Sequence, residues 1–264
     1  MRFFPLRKKS ANITDKLPAA AAIVLIIALW QFLCSAGIIP HYMLPSPLEV
    51  ITAVGKDFPN LMMHTAVTLQ EAFLGLLAGI LLAFAAATLM DRFSVIQRAL
   101  YPILIITQTI PTIAIAPILV LWMGFGKAPK ITLVVITTFF PIAVGLLDGF
   151  KSADPDSLRL MRSMGATDMQ IFYHVKFPSA LPYFFSGLKV SASYAVVGAV
   201  IAEWLGGFEG LGVYMTRARK AYSFDRMFAV ILVIIVISLL LILLVNILRD
   251  LSMPHLRADT GKQK

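Results

Sequence analysis

The sequence predicts an all-α protein that crosses a membrane about six times. Hydrophobic residues make up 59% of the chain and charged residues only 14%, well below the roughly 25% that is usual in soluble domains. The apolar residues gather into runs of about 20, the length at which a helix crosses the hydrocarbon core. Lipid offers the backbone no hydrogen-bond partner, so helices are the expected spanning structure. The loops between the runs are too short to bury a core of their own.

Six runs are long enough to be spans, and in chain order they cover about residues 17–36, 65–90, 99–123, 130–150, 180–203 and 227–248. The first follows a basic N-terminal stretch, a pattern shared with cleaved signal peptides. It is long for a signal core, and bulky Leu33 stands where cleavage before Cys34 would need a small residue. We therefore expect a retained first span. Cys34 is the single cysteine of the chain, which excludes an intrachain disulfide.

The third run contains two prolines, Pro111 and Pro117, and a kink is expected at both because each removes a backbone hydrogen bond. Polar side chains that could bond the freed carbonyls lie beside the first proline: Thr107, Gln108, Thr109 and Thr112. A broken, partly polar helix at mid-membrane depth is a common way to line a transport path. The same residues could instead bind neighbouring helices around a kinked packing helix, and this run alone does not decide between the two.

A polar segment of almost thirty residues, from Asp154 to Pro182, interrupts the apolar runs. Its first residues predict a helix start, because Asp154 is a good N-cap and Pro155 loses no hydrogen bond in a first turn. Gly165 then stands where a helix ends in a left-handed residue. We expect a short helix followed by a sharp glycine turn, held rigidly at the membrane surface.

A second helix start follows the glycine. Thr167 and Gln170 have the spacing of a capping box, and Pro178 and Pro182 close the segment before the fifth run. The sequence therefore predicts two short helices joined by the turn. A rigid protruding element of this kind suits the transmission of force to a partner better than it suits a flexible linker.

Lysine and arginine are unequally divided between the two sides of the predicted bundle. With the N-terminus inside, fifteen lie on the cytoplasmic side and seven outside, with Lys189 within the fifth run. Both termini are therefore expected in the cytoplasm. The outer cluster of Arg217, Arg219 and Lys220 is either an ordinary interfacial patch or a surface for an anionic ligand or partner. The net charge of +9 thus indicates membrane topology, and no arginine–aromatic pattern suggests nucleic-acid binding.

Groups for catalysis or metal binding do not converge in the sequence. The four histidines are scattered, and the chain has no Walker phosphate loop, so it is not expected to hydrolyse ATP itself. Glu71, Asp148 and Glu203 are the carboxylates nearest to membrane depth, where a structural or interfacial role competes with a functional one. A membrane enzyme would need convergent catalytic groups, and a secondary transporter would need a buried titratable relay. Neither pattern is found.

The Asp154–Pro182 segment resembles the cytoplasmic loop of ABC importer permeases, whose pattern is E-A-A-x-x-x-G followed by a hydrophobic helix and a proline. Here Arg159-Leu160-Met161 occupy the E-A-A positions, Gly165-Ala166 match the glycine and its neighbour, and FPSALP at 177–182 matches the closing motif. Arg159 replaces the usual acid. This departure leaves the glycine turn intact and puts in doubt any charge contact that the acid makes.

Four further motifs resemble the branch of this family that imports sulfonates, taurine, nitrate and pyrimidine precursors of thiamine. They are LPSPLEV at 44–50, T-L-x-x-A-x-x-G at 68–75, QTIPTIAIAPILVLWMGFG at 108–126 and GLGVYM at 210–215. The resemblance covers about residues 40–250 and implies the type I ABC importer permease fold with a cytoplasmic coupling helix. It divides the chain into a cytoplasmic tail, first span and extracytoplasmic segment at 1–60, an ABC transmembrane type-1 domain at 61–250 and a cytoplasmic tail at 251–264.

The resemblance also implies partners, and no cofactor bound by this chain. Two permease subunits, expected to be identical copies, form the pathway in the bacterial inner membrane. A separate ATPase subunit binds ATP and moves the permease loops as rigid coupling helices, and an extracytoplasmic binding protein delivers the solute. The residues expected to couple to the ATPase are Arg159, Met161, Met164, Gly165, Ala166, Met169, Phe172 and Pro178. The alternative for each is packing against the chain's own inner helices.

The expected solute is a hydroxymethylpyrimidine-type thiamine precursor. LMRSMGA, FFPIAVGLLDGF and the fifth run resemble permeases for such precursors more than those for sulfonates. The expected pathway residues are Gln108, Pro111, Lys189, Tyr194, Glu203 and Trp204. Amide and aromatic groups suit a neutral heteroaromatic solute, whereas an anion would need positive charge or helix N-termini. Import of sulfonate, taurine or nitrate by the same mechanism is the alternative, and secondary transport is a third.

Overall fold

The computed structural model describes residues 13–40 and 43–253. Within these ranges the chain forms eleven α-helices and one π-helical turn. The helices are α1 (Ile13–Ser35), α2 (Pro47–Lys56), α3 (Phe58–Arg92), α4 (Ser94–Thr109), α5 (Thr112–Met123), α6 (Lys127–Lys151), α7 (Pro155–Ser163), α8 (Asp168–Ile171), α9 (Phe177–Gly206), α10 (Leu211–Lys220) and α11 (Phe224–Ser252), and the π-helical turn is Phe172–Lys176. Residues 1–12 and 254–264, which belong to the predicted cytoplasmic tails, lie outside the described residues.

The spans agree with the six predicted runs. Among the described residues, five helical stretches are long and apolar enough to cross a membrane: Leu17–Ser35, Phe58–Arg92, Lys127–Lys151, Asp168–Gly206 and Phe224–Ser252. Helices α4 and α5 qualify together as a sixth span, although they meet at an angle of 102°. The all-α polytopic architecture is therefore confirmed.

Helices α3, α6 and α9 form the packed centre of the protein. Small residues let them approach closely, because helix association in lipid depends on tight packing. A Cβ at Gly75 of α3 would lie 2.5 Å from the side chain of Val134 on α6, and a Cβ at Gly187 of α9 would collide with the carbonyl of Pro141 on α6. Helix α11 packs on the outside of α9, whereas α1 is exposed along most of its length and contacts α2.

The third span is interrupted at one of its two prolines. Helix α4 ends at Thr109 and α5 begins at Thr112, so that Ile110 and Pro111 form the break. Ile110 is extended, with ψ of 122°, the conformation that a following proline favours. The helix continues through Pro117, so the break is found at Pro111, and the kink expected at Pro117 stays a prediction.

The prediction of a separate second short helix was wrong. Helix α8 runs through the π-helical turn into α9, which makes one helical stretch from Asp168 to Gly206. The N–H of Phe177 donates to the carbonyl of Phe172, five residues back. Pro178 then lies in the first turn of α9. The wider turn therefore accommodates the proline that the sequence suggested as a stop.

Candidate functional site

Helix α7 begins at the predicted N-cap. Asp154 accepts hydrogen bonds from the N–H groups of Asp156 and Ser157 at 3.3 and 3.0 Å, and from the Ser157 hydroxyl at 2.7 Å. The hydroxyl, followed by the two backbone groups, holds the pKa of Asp154 below its ordinary value. The side chain that precedes Pro155 thus determines where the helix starts.

The turn between α7 and α8 depends on the predicted glycine. Gly165 has a φ of +78°, a left-handed conformation that other L-residues adopt only with strain. No neighbouring atom lies within 4 Å of the position that a Cβ would take, so backbone conformation and not space selects glycine here. Thr167 and Gln170 then form the predicted capping box at the start of α8.

The residues from Asp154 to the end of the π-helical turn at Lys176 are called the 154–176 segment here. This segment exposes a row of large apolar side chains. Leu160, Met164, Met169 and Tyr173 are each at least 58% exposed. Exposed apolar surface of this kind commonly marks a contact with another protein, and methionine adapts easily to different partner surfaces. The segment therefore has the properties of a docking surface. We refer to these four residues as the apolar row.

A cavity of about 300 Å³ lies at the break between α4 and α5. Its walls come from α4, α5, α6 and α9, and the lining residues are Thr107, Gln108, Ile110, Pro111, Thr112, Ile115, Ile136, Thr137, Tyr194, Val197, Gly198 and Ile201. None of these side chains is charged. Cavities of this size, mostly apolar with a few converging polar groups, suit small organic molecules.

A threonine supports the open end of α4 beside this cavity. The last carbonyls of a helix have no partner within it. The hydroxyl of Thr109 donates to one of them, the carbonyl of Ile106, at 2.7 Å. Pro111 on the other side of the break has no N–H to offer. The break therefore leaves polar backbone groups beside the cavity.

A buried ion pair joins α3 to α6. Lys130 Nζ donates to Glu71 Oε1 at 2.7 Å and to the carbonyl of Glu209 at 3.4 Å. The Lys130 and Glu71 side chains are only 5% and 0% exposed. Burial of a charge is costly unless the charge is paired, so each of these two side chains depends on the other.

Side chains of α3 and α9 accept hydrogen bonds from the first backbone N–H groups of α10. The hydrogen bonds run from Gly210 N–H to His64 Nδ1 at 3.0 Å, from Leu211 N–H to Thr68 Oγ1 at 2.9 Å and from Gly212 N–H to Glu203 Oε2 at 2.6 Å. Thr68 in turn donates to Glu203 Oε1 at 2.7 Å. A helix cannot satisfy its own first N–H groups, so His64, Thr68 and Glu203, here called the α10 cap, do so from outside.

Comparison with known proteins decides the family. The family model for the binding-protein-dependent transport system inner membrane component matches residues 75–258. The chain belongs to this family of ABC importer permeases. The permease is therefore a membrane component of a transport system and not an enzyme.

Individual relatives cover most of the permease. A probable ABC transporter permease protein of Haemophilus influenzae is 39% identical over 80% of this chain and 86% of its own. The formylaminopyrimidine transport permease protein of Halalkalibacterium halodurans is 38% identical, with 80% and 84% covered. The taurine transport system permease protein of Escherichia coli is 28% identical, with 80% of each chain covered.

A solved structure shares the fold. The permease aligns with a chain of the MetNI methionine ABC transporter in an inward-facing conformation at a TM-score of 0.64 and 19% identity. The alignment covers 72% of the permease and 95% of that chain. The predicted type I permease architecture is thereby confirmed.

The residues expected to couple to an ATPase differ in exposure within the permease. Those that are exposed are Arg159, Met164, Gly165, Met169 and Pro178, and those that are half-buried are Met161, Ala166 and Phe172. The Phe172 ring packs inward, with its centroid 5.3 Å from that of Phe150 on α6. Phe172 therefore contacts the permease's own helices, and the coupling role of the whole set stays a prediction.

Three of the six expected pathway residues share the cavity: Gln108, Pro111 and Tyr194. The other three lie elsewhere on α9. Lys189 is exposed and does not line the cavity, and Glu203 belongs to the α10 cap. Trp204 lines a separate pocket with Met215 and Arg219.

Sequence reasoning missed the partners of the buried acids. In the sequence, Lys130 is one of the seven outer charges and Thr68 belongs to the motif at 68–75, and neither is predicted to meet an acid. A usable signal was present, because His64, Thr68 and Glu71 are spaced four and three residues apart and so share one face of a helix. Three polar residues on one face of an apolar span indicate polar partners inside the bundle.

Proposed function

We propose that this permease forms the translocation pathway of an ATP-driven importer for a neutral heteroaromatic solute of the hydroxymethylpyrimidine type. The cavity at the α4–α5 break is the observation that carries the proposal. Thr107, Gln108, Thr137 and Tyr194 offer hydroxyl, amide and phenol groups there. Such groups can pair with the ring nitrogens and amino group of a pyrimidine, and the Tyr194 ring can stack on its face.

The relatives support the same solute class. The permease named for formylaminopyrimidine is 38% identical to this chain, and the one named for taurine is 28% identical. An anionic solute is stabilised by positive charge in its site, and no cavity-lining side chain carries one. A neutral solute therefore fits this lining better than a sulfonate or nitrate does.

The proposed partners are those that the resemblance to importer permeases implies. The apolar row docks on a separate ATPase subunit, which binds the ATP, and Gly165 sets the turn that presents it. An identical second permease completes the pathway. A binding protein delivers the solute on the outer side, where residues 45–60 and 206–219 are its candidate contacts. Both termini lie in the cytoplasm, and 61–250 is the pathway-forming domain between the 1–60 and 251–264 regions.

Import of an anion by the same mechanism is the second candidate. The taurine permease relative favours it, because it covers the same 80% of the chain. The exposed cations Arg217, Arg219 and Lys220 on α10 could also attract an anion toward the outer side. This candidate keeps every partner and changes only the solute.

Uptake into proteoliposomes tests both candidates. The permease is reconstituted with its ATPase and binding protein and is offered a labelled aminopyrimidine thiamine precursor, with taurine and nitrate in parallel. ATP-dependent uptake of the pyrimidine alone is expected. Uptake of taurine or nitrate alone would show that the solute is an anion and would leave the proposed ATP-driven mechanism unchanged. Uptake driven by an ion gradient without ATP would indicate a secondary transporter instead.

The cavity itself is tested by a matched pair of tyrosines. Tyr194→Ala removes a ring that lines the cavity, and it should raise the solute concentration needed for half-maximal uptake. Tyr183→Ala is the control, because Tyr183 is an exposed tyrosine of the same helix that does not line the cavity. Equal effects of the two substitutions on uptake would show that the cavity is not part of the translocation pathway.

A further inference from the structure

Two ion pairs join the end of α3 to the 154–176 segment. Lys176 Nζ lies 2.9 and 2.8 Å from the two carboxylate oxygens of Asp91, and Arg92 pairs with Asp168. The Lys176 and Asp91 side chains are 24% and 14% exposed, whereas those of Arg92 and Asp168 are 62% and 66% exposed. Water screens exposed pairs so that they contribute little. The Asp91–Lys176 pair is therefore the stronger connection.

An aromatic cluster next to Lys176 holds the same elements together. The Phe177 ring packs edge-on against Phe84 of α3, with 6.0 Å between the centroids. Phe172, in the π-helical turn, lies 6.4 Å from Phe177 and 5.3 Å from Phe150 of α6. The segment is thus seated on α3 and α6 by apolar contacts as well as by charge.

The opposite ends of α3 and α9 are also connected. The Thr68 hydroxyl donates to Glu203 Oε1 at 2.7 Å, and both side chains are buried. Thr68 and Asp91 lie on one uninterrupted helix, about 34 Å apart at a rise of 1.5 Å per residue. Two polar connections, far apart along the helices, therefore fix α3 to the stretch that runs from the segment into α9.

We infer that α3 and α9 move as one rigid unit, fastened by Asp91–Lys176 near one end and by Thr68–Glu203 near the other. A displacement of the 154–176 segment is then carried along both helices to the α10 cap. This inference rests on the proposed function, in which an ATPase moves the segment. Asp91 and Lys176 act as positioning residues, because neither lines the cavity.

Substitution of the pair gives the first test. Lys176→Gln and Asp91→Asn should each lose most of the ATPase activity that the binding protein stimulates, together with the uptake that depends on it. The exchanged double variant Asp91→Lys/Lys176→Asp should regain much of both. Arg92→Gln is the matched control, because it removes the neighbouring exposed pair and should leave both activities near those of the wild type. Wild-type activity in Lys176→Gln and Asp91→Asn would overturn the inference.

Cross-linking gives a second test, in which a covalent link takes the place of the ion pair. In a Cys34→Ala background, the Asp91→Cys/Lys176→Cys variant is joined by a short bis-methanethiosulfonate. Before cross-linking this variant lacks the ion pair, and its stimulated ATPase activity and uptake should be low. Both should rise toward the level of Cys34→Ala alone once the covalent link fastens α3 to the segment. Near-normal activity before cross-linking, lost on joining and recovered after reduction, would show that the segment slides along α3 and would overturn the inference. Activity that stays low after joining would also overturn it. Because ATPase stimulation needs no knowledge of the labelled solute, failure of the pyrimidine proposal would remain distinguishable.

Discussion

The carboxylate of Glu203 accepts the backbone N–H of Gly212 at 2.6 Å, so that the last turn of α9 caps the first turn of α10. The chain between them passes directly over this carboxylate, because a Cβ at Gly210 would collide with it. A Cβ at Gly212 would collide with the Val200 carbonyl oxygen and would lie 2.9 Å from the Glu203 Cβ. The two glycines of the G-L-G sequence are therefore required by the close approach to α9, Gly210 by the Glu203 carboxylate and Gly212 chiefly by the Val200 carbonyl.

We predict that Glu203→Ala destabilises the permease by about 1–3 kcal/mol, because it leaves the buried Gly212 N–H without its acceptor. The Thr68 hydroxyl loses Glu203 as well but can still donate to the His64 carbonyl. Glu203→Gln keeps one acceptor oxygen and should cost less. The melting temperature of the purified permease, followed by tryptophan fluorescence, measures both effects. Glu209→Gln, an exposed acid six residues away, is the control. Equal melting of Glu203→Ala and Glu209→Gln would contradict the capping role.

The Lys130–Glu71 pair leads to a second prediction. Lys130→Met leaves a buried carboxylate unpaired and should cost about 3–5 kcal/mol, whereas Glu71→Leu/Lys130→Met should recover much of this loss. Lys127→Met is the matched control, since Lys127 is exposed and bonded to Gln70. The free energies of unfolding of these three variants are compared by chemical denaturation in a mild detergent. A double variant less stable than Lys130→Met would argue against a paired charge.

Gly165 gives a prediction on coupling. Gly165→Val forces a β-branched residue into a left-handed conformation at a local cost of about 1–2 kcal/mol. It should abolish ATP-dependent uptake while the permease still inserts at normal yield. Gly165→Asn should retain much of the uptake, because asparagine tolerates this conformation. Uptake and membrane yield are measured together, and normal uptake by Gly165→Val would remove the turn from the coupling mechanism.

A fourth prediction concerns pH. The Tyr214 hydroxyl on α10 donates to Asp57 ahead of α3, and this bond holds the pKa of Asp57 below its ordinary value of 3.8. The hydrogen bond favours the carboxylate form of Asp57. Its contribution to the stability of the folded permease is therefore fully present above pH 3.8 and is lost as the pH falls through the lower pKa of Asp57 in the folded state. Tyr214→Phe should therefore lower the melting temperature equally at neutral and mildly acidic pH. Below pH 3.8 the melting temperatures of the variant and the wild type should approach each other.

The control for this pH dependence is Tyr222→Phe, which alters an exposed tyrosine. It should leave the melting temperature unchanged across the same range. A difference between Tyr214→Phe and wild type that grew as the pH fell would show that Asp57 is not the acceptor that matters.

Local features were predictable from the sequence because their partners lie close along the chain. The Asp154 cap, the Gly165 turn and the Thr167–Gln170 box each involve residues within a few positions, and all three are present. The spans were predictable for a related reason. Their lengths follow from the thickness of the hydrocarbon core and need no knowledge of neighbours.

The α10 cap and the cavity required the fold. Gly210 and His64 lie 146 positions apart, and Glu203 and Thr68 lie 135 positions apart, so spacing along the chain does not bring them together. Proline composition indicated an interruption in the third span but not its angle of 102°. The π-helical turn was also missed, because a proline after a short helix usually marks an end.

The π-helical turn at Phe172–Lys176 also sets the angular phase between two surfaces. A π turn holds one residue more than an α turn, and each residue turns a helix by about 100°. Deleting one residue there, and so restoring a regular α-helix, would swing Met169 about a quarter-turn around the axis relative to Tyr194. The length of these five residues thus encodes the direction in which the apolar row points, independently of their chemistry.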